Sequence, residues 1–249
     1  MISVVCVYNS EDQFRECLLP TLENQNVKYE LLGIDNRSNT YKCAAEALNA
    51  GGRRARGEYI MFAHQDVMLG SSDWLQSVER LLGGLSNLGI AGVAGKSPKD
   101  PWVLSNIEHG TPPRPAGQSR ISVPTVVQTL DECVAIVPRS VFMQYPFAED
   151  LCPDWHLYVV EYCLRLKRRK LNVYVLPVSL YHKSMGYPES ESYFSSLENL
   201  LREYRGSYGN VYTTCGDWST RFPLRLQRTG LWMFFKRALD FSRSALRKG

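Results

Sequence analysis

Three polar residues follow an apolar run in the first third of the chain. Residues 59–63, Tyr-Ile-Met-Phe-Ala, are apolar enough for a buried strand, and His64, Gln65 and Asp66 come next without a spacer. An imidazole can bind a proton or a metal, and a carboxylate binds hard cations such as Mg²⁺ or Mn²⁺. The spacing predicts that Asp66, with one or two imidazoles, holds a divalent cation where a strand ends.

Two earlier apolar runs also end in polar side chains. Residues 2–7 lead to Tyr8 and Asn9, and residues 29–34 lead to Asp35. In parallel α/β sheets ligands bind at the carboxyl ends of the strands, so three strands would deliver polar groups to one edge. Neither G-x-G-x-x-G nor G-x-x-x-x-G-K-[ST] occurs in the sequence, which disfavours a Rossmann dinucleotide site and a P-loop. A bound diphosphate would then need a metal ion to neutralise its charge.

Strand-like and helical patterns alternate along the first half of the chain. Continuous apolar runs of strand length lie at residues 2–8, 29–34, 58–63 and 88–95. Helical patterns separate them, and this alternation is typical of a parallel sheet that is covered on both faces.

The second half begins with a long segment that is rich in Pro and Gly. Residues 96–120 predict a loop that is either mobile or functional, and its Trp102 suits an acceptor lid. The runs at 122–130 and 132–138 predict strands of a second, smaller pairing. Residues 155–170 have helical spacing.

Composition narrows the class of protein. The hydrophobic fraction of 44% and the charged fraction of 22% indicate a globular chain, and a formal net charge of +4 does not indicate a nucleic-acid partner. The seven cysteines are an odd number without a C-x-x-C pair, which predicts reduced thiols in a cytosolic protein.

The end of the chain is strongly basic. From Arg221 onward, eight basic residues face a single acid, Asp240. No apolar run approaches the ~20 residues of a membrane span. Residues 221–249 therefore predict a basic amphipathic helix that could lie on anionic lipid, with core closure or self-association as the alternative. The predicted location is the cytoplasm, with a peripheral position at the inner face of the membrane as the expectation for the basic helix.

Several stretches together resemble the family-2 glycosyltransferases of GT-A fold. They are SVVCVYN, ELLGIDNRSN, AAEALNAG with ARGEYIMFAHQDV, and PFAED with DWHLYVVEYCLRLKRRKLNVYVLPVSLYHKS, which spread from residue 2 to about residue 185. The resemblance implies an α/β GT-A fold, with a mixed sheet flanked by helices and with C-terminal helices. It places the nucleotide-sugar half at 1–95, the acceptor half of the same domain at 96–220, and a basic helix at 221–249.

The resemblance also implies a UDP-sugar donor. Tyr8, Asn9 and Asp35 would hold uracil and ribose, while Asn49 and the segment ending at Arg56 would touch base and phosphates. The residues assigned to the nucleotide sugar are Tyr8, Asn9, Asp35, Asn49, Arg56, Gln65 and Lys183.

By the same resemblance, residues 64–66 stand where the family has its Asp-x-Asp metal motif. Asp66 would bind the metal that bridges the diphosphate, and His182 would complete the ligand set. The sequence departs from the motif at its first position, where His64 replaces an aspartate. The cofactor is expected to be Mn²⁺ or Mg²⁺, and nitrogen donors favour Mn²⁺.

The implied reaction is an inverting transfer to a saccharide or lipid-linked acceptor. It needs a Lewis acid at the departing diphosphate, assisted by Lys183, and a general base near the acceptor hydroxyl. The base is expected between residues 149 and 161, with Asp154 first and Glu161 and Asp150 behind it. The alternatives are a UDP-sugar-binding protein with little or no turnover and, less favoured, a nucleotidyltransferase, because no glycine-rich, lysine-bearing loop follows the first strand.

Overall fold

A mixed β-sheet forms the centre of the protein. The computed structural model describes residues 1–184 and 190–229. Its strands are β1 (Ile2–Tyr8), β2 (Tyr29–Asp35), β3 (Tyr59–Ala63), β4 (Val67–Leu69), β5 (Leu88–Gly92), β6 (Ala94–Lys96), β7 (Leu104–Ser105), β8 (Glu108–His109), β9 (Arg114–Pro115), β10 (Thr125–Val126), β11 (Thr129–Leu130), β12 (Val134–Pro138), β13 (Asn172–Val175), β14 (Leu180–His182), β15 (Asn210–Thr213) and β16 (Gly216–Ser219).

Helices pack around this sheet. They are α1 (Glu11–Gln13) and α2 (Leu19–Glu23), joined by a π-helical turn at Phe14–Leu18, then α3 (Ala44–Gly52), α4 (Trp74–Gly83), α5 (Arg139–Gln144), α6 (Tyr158–Arg168), α7 (Glu191–Glu203) and α8 (Leu224–Gln227).

The central sheet has seven strands in the order β10-β13-β5-β12-β3-β1-β2. β1 is parallel to β2 and β3, and β13 is parallel to β5. β12 is antiparallel to both of its neighbours, β3 and β5. The sheet is therefore mixed, as the resemblance implied. The prediction that residues 132–138 belong to a separate, smaller pairing is wrong, because they form the strand between β3 and β5.

Both faces of the sheet are buried, which explains why its inner strands are apolar at almost every position. On β1, Val5 packs into one hydrophobic cluster, while Val4 and Cys6 pack into the cluster on the opposite face. On β3, Phe62 and Met61 divide between the two faces in the same way. Successive side chains of a strand point to opposite faces, so a strand covered on both sides has no solvent face to supply alternation.

A smaller sheet joins distant parts of the chain beside the central one. β14 is antiparallel to β4, with His182 opposite Val67, and β14 is parallel to β8. β8 in turn pairs with β9. Residues 104–115 of the predicted loop therefore contain short strands, whereas Trp102 remains 55% exposed.

The end of the predicted C-terminal helix lies outside the described residues. Residues 221–229 contain only the short helix α8, and residues 230–249 are not described. In the described part of the chain, no helix is long and apolar enough to cross a membrane. All seven cysteines are free thiols.

Candidate active site

Two histidines and an aspartate meet at the carboxyl edge of the central sheet. His64 and Asp66 follow β3, and the pairing of β14 with β4 brings His182 beside them. One donor atom from each side chain lies within 4.8 Å of the other two, and His182 Nε2 is 3.2 Å from Asp66 Oδ1. Neighbouring ligands of a six-coordinate ion with bonds of ~2.1 Å are ~3 Å apart. With small side-chain rotations, the three donors fit one divalent ion.

The surroundings put Asp66 and His64 into metal-binding protonation states. Burial alone would raise the pKa of Asp66, but the hydrogen bond and charge of His182 and the charge of His64 lower it well below the ordinary range. Burial and the nearby His182 lower the pKa of His64 to about 4. At neutral pH Asp66 is therefore a carboxylate and His64 a neutral imidazole, the forms in which both bind metals.

The pKa of His182 shifts in the opposite direction to the pKa of Asp66. Burial alone would lower the pKa of His182, but the hydrogen bond to Asp66 and its negative charge raise it. The second carboxylate oxygen of Asp66 accepts a hydrogen bond from the backbone N–H of Ser184 at 3.2 Å. These contacts fix the orientation of the carboxylate.

One cavity opens beside the cluster where the first strands end. This strand-end pocket has a volume of about 310 Å³, and its polar lining includes Asn9, Asn36, Asn39 and Gln65. Trp155 forms part of its wall and is 37% exposed. The pocket therefore combines amide donors and acceptors with an aromatic face.

Hydrogen bonds of the Gln65 side chain connect the end of β1 with the segment that follows β3. Its Oε1 accepts hydrogen bonds from the backbone N–H groups of Asn9 and Ser10, both at 3.0 Å, and its Nε2 donates to Asn9 Oδ1 at 2.8 Å. Asn9 and Gln65, both assigned to the nucleotide from the sequence, thus lie together on the pocket wall.

A second cavity lies next to the same cluster. This inner cavity has a volume of about 340 Å³, and it shares His64 and Ser184 with the strand-end pocket. His182, Glu132 and His156 also line it, and much of the remaining wall is apolar. The cluster therefore stands between two cavities, which is a suitable arrangement for two ligands that exchange a group.

Three residues assigned to the nucleotide lie near the strand-end pocket without lining it. Tyr8 stacks on Phe14 with ring centroids 4.9 Å apart. Asp35 is exposed and paired with Arg37, whose hydrogen bonds lower the pKa of the Asp35 carboxyl. Lys183 donates a backbone hydrogen bond to Asp66. Its ammonium group is 3.5 Å from Glu16.

Asn49 lies outside both cavities. It is buried, its Nδ2 donates to Phe147 O and to Glu149 Oε1, and its Oδ1 accepts from Phe147 N–H. All of its hydrogen-bonding groups therefore hold the segment that follows α5. This position does not support the nucleotide contact expected from the sequence.

Arg56 is at the opposite edge of the sheet. It precedes β3, and its backbone N–H bonds to Glu30 at the start of β2. A residue that precedes a parallel strand lies at the amino edge, whereas ligands bind at the carboxyl edge. The expected phosphate contact of Arg56 conflicts with this placement.

The acids considered for the general base also lie away from the cavities. Glu161 is 3% exposed and pairs with Arg165 at 3.0 Å, and it accepts a hydrogen bond from the Tyr204 hydroxyl at 2.9 Å. These contacts place its carboxylate in the core, so access to an acceptor is blocked. Asp154 is partly buried and precedes Trp155, which lines the strand-end pocket. Its Oδ2 is buried without a hydrogen-bond partner among the described residues, but Asp154 lines neither cavity.

Asp150 is exposed and lines neither cavity. The structure instead brings two other acids, Asp131 and Glu132, to the inner cavity. The sequence signal for them is the acid pair Asp131-Glu132 at the start of the run 132–138, but a strand in a separate pairing would not bring this pair to the site.

Comparison with known proteins agrees with the architecture. The model of a family described as "Glycosyltransferase like family" matches residues 3–204, and the chain belongs to this family. A curated relative named "ATP synthase subunits region ORF 6", from Fuscovulum blasticum, is 25% identical over 189 residues, which cover 72% of each chain.

Solved glycosyltransferases share the fold at low sequence identity. TarS 1–349 of S. aureus in complex with UDP-GlcNAc has a TM-score of 0.56 at 15% identity, over 81% of this chain and 66% of that chain. GalNAc-T7 with UDP, GalNAc and Mn²⁺ has a TM-score of 0.61 at 11% identity, over 82% of this chain and 47% of that chain. The chain thus spans about two thirds of the TarS fragment and half of GalNAc-T7, and it has the GT-A fold.

Proposed function

We propose that this protein is a metal-dependent glycosyltransferase that moves a sugar from a UDP-sugar to a saccharide or lipid-linked acceptor with inversion. The observation that carries the proposal is the cluster of His64, Asp66 and His182 between two cavities. GT-A neighbours in complex with UDP-GlcNAc or with UDP and Mn²⁺ support it.

The strand-end pocket suits the nucleotide. The amides of Asn9, Asn36 and Asn39 can pair with the donors and acceptors of a uracil ring and a ribose. The exposed face of Trp155 can stack on the base. Gln65 keeps the end of β1 in place and so holds Asn9 in position.

The metal would lie between nucleotide and acceptor. Asp66, His182 and His64 would hold it, and mixed oxygen and nitrogen donors favour Mn²⁺ over Mg²⁺. When bound, a divalent ion neutralises the diphosphate and makes it a better leaving group. The inner cavity, which shares His64 and Ser184 with the strand-end pocket, would admit the acceptor hydroxyl.

Binding with little turnover is the second candidate function. The observation behind it is that the cluster contains a single carboxylate, so it supplies little negative charge to hold the ion. Incubation with Mn²⁺ and each common UDP-sugar separates the two candidates. Release of UDP supports the transferase, whereas tight UDP binding without release, even when acceptors are added, supports the binding protein.

The metal assignment has its own test. Asp66→Asn removes the only carboxylate of the cluster, and we expect it to abolish the Mn²⁺-dependent part of UDP binding in calorimetry. Asp73→Asn is the matched control, because Asp73 is an exposed helix cap and asparagine caps equally well. Wild-type UDP binding by the Asp66 variant contradicts the metal assignment.

We also propose a cytoplasmic protein that contacts the inner face of the membrane through its C-terminal segment. Phe222 and Leu226 are 44% and 48% exposed, and Arg221 and Arg225 are exposed beside them. Apolar and basic side chains on one surface are the combination that binds anionic lipid.

A further inference from the structure

The inner cavity contains an acid that the sequence did not single out. Glu132 precedes β12, which runs antiparallel to β3, with Val134 opposite Ala63. The N–H of His64 donates to the carbonyl of Cys133 at 2.9 Å. This register places the start of β12 at the same sheet edge as the metal cluster, and Glu132 lines the cavity together with His64 and His182.

The neighbouring acid is already committed to structural contacts. Asp131 Oδ1 accepts the N–H of Cys133 at 3.1 Å, and its Oδ2 accepts the hydroxyl of Thr214 at 2.9 Å. In contrast, Glu132 Oε1 is buried and has no hydrogen-bond partner within residues 1–184 and 190–229. Buried polar atoms are rarely left unpaired, and each exception calls for an explanation such as a catalytic role.

The start of α6 faces the Glu132 carboxyl group. The backbone N–H groups of Leu157, Tyr158 and Val159 favour the charged form of Glu132, but burial disfavours it more strongly and raises its pKa well above the ordinary value. The first N–H groups of a helix have no partner within the helix, and they point toward this acid. The carboxylate can therefore form here, and it is a stronger base than an exposed one.

We propose that Glu132 is the general base of the transfer. It takes the proton of the acceptor hydroxyl while the acceptor oxygen forms a bond to the anomeric carbon. The bond from that carbon to the diphosphate oxygen breaks, and its electron pair leaves with the nucleoside diphosphate. This assignment rests on the proposed function, and it replaces Asp154 and Glu161 in that role.

The test compares wild type with Glu132→Gln, which keeps the size of the side chain and removes the base. The measured rate is UDP release from each common UDP-sugar at saturating Mn²⁺, with water as the acceptor. We expect the rate to fall ~10²–10⁴-fold, the range for a lost general base, while the Kd of UDP with Mn²⁺ stays within about twofold. Glu198→Gln, the same change at an exposed position, should retain the wild-type rate.

Four outcomes decide the question. A Glu132→Gln enzyme with the wild-type rate overturns this assignment alone, and a loss of rate in Asp154→Asn without one in Glu132→Gln returns the base to Asp154. Wild-type protein that binds UDP but releases none from any UDP-sugar, even when acceptors are added, overturns this assignment and leaves the binding function. Wild-type protein that does not bind UDP with Mn²⁺ overturns the proposed function as well.

A pH profile keeps the test informative if Glu132→Gln does not fold. His64, His156 and His182 line the same cavity as Glu132, and saturating Mn²⁺ would keep the candidate ligands His64 and His182 deprotonated. The other groups that face Glu132 are Asp131, Cys152, Tyr158, Tyr193 and Cys215. The pKa of Asp131 is lowered, and the pKa values of the two thiols and the two phenols are raised, so none of the five changes charge between pH 5 and 8. The wild-type rate at saturating Mn²⁺ should fall as the pH is lowered from 8 to 5, and a flat profile overturns the assignment.

Discussion

Asn49 offers a direct test of the difference between a ligand contact and a structural contact. In the fold its side chain makes three hydrogen bonds, of 2.9 Å to Phe147 O, 2.8 Å to Glu149 Oε1 and 3.0 Å from Phe147 N–H. Asn49→Ala leaves the two backbone groups of Phe147 without partners. Each buried unpaired group costs about 1–3 kcal/mol, so the variant should lose about 2–6 kcal/mol of unfolding free energy.

That loss is large enough to measure. For a chain of this size, 1 kcal/mol corresponds to about 2–4 °C in Tm, which gives an expected decrease of about 4–24 °C. Thermal unfolding followed by circular dichroism provides the Tm, and calorimetry at 20 °C with Mn²⁺ provides the Kd of UDP. We expect a lower Tm and an unchanged Kd.

Arg56→Ala is the matched control, because the sequence assigned Arg56 to the same ligand. Its side chain is 85% exposed at the amino edge of the sheet, so both Tm and Kd should remain at wild-type values. If Asn49→Ala keeps the wild-type Tm and weakens UDP binding, the structural reading of Asn49 is refuted and the original nucleotide assignment is right.

Two further predictions concern the core and the membrane. Arg165→Ala leaves Glu161 buried without its partner and should cost about 3–5 kcal/mol in urea unfolding, whereas Glu161→Gln should cost clearly less; equal losses contradict the pairing. Deletion of residues 230–249 retains the buried Leu224. This deletion should weaken binding to vesicles of anionic lipid by more than tenfold, since each basic residue near such a surface contributes about 1 kcal/mol. Vesicle binding equal to that of wild type refutes a membrane contact through residues 230–249.

The sequence predicted the first part of the fold because its signals there are local. Residues 2–8 and 58–63 are continuous apolar runs, and β1 and β3 occupy nearly those positions. The polar residues after each run marked the edge of the sheet that carries the site. The ordering of strands along the chain and their parallel orientation therefore followed from pattern alone.

Strand pairing in the second half depended on contacts between distant residues. A run such as 132–138 has the same apolar pattern whether it joins the central sheet or a separate one, and its direction is not encoded locally. Because β12 is antiparallel, its first residues rather than its last ones lie at the site edge. For this reason Glu132 was overlooked.

The side-chain partners could not be read from the sequence either. Asn49 and Glu161 are residue types that occur in active sites, yet each is fully engaged by a partner that only the fold brings near. Asp66 and His182 lie in contact although they are 116 residues apart, and it was the resemblance, rather than local spacing, that linked the two positions.

The insertion of β12 between β3 and β5 has a consequence for how the chain can be divided. β5 has only β12 and β13 as neighbours, and both come from residues after 95. A fragment ending at residue 95 would leave β5 without any partner strand and would expose the edge of β3. Unpaired strand edges invite aggregation, so residues 1–95 should not be a separately expressible unit, and the sheet can close only after residue 175 has been synthesised.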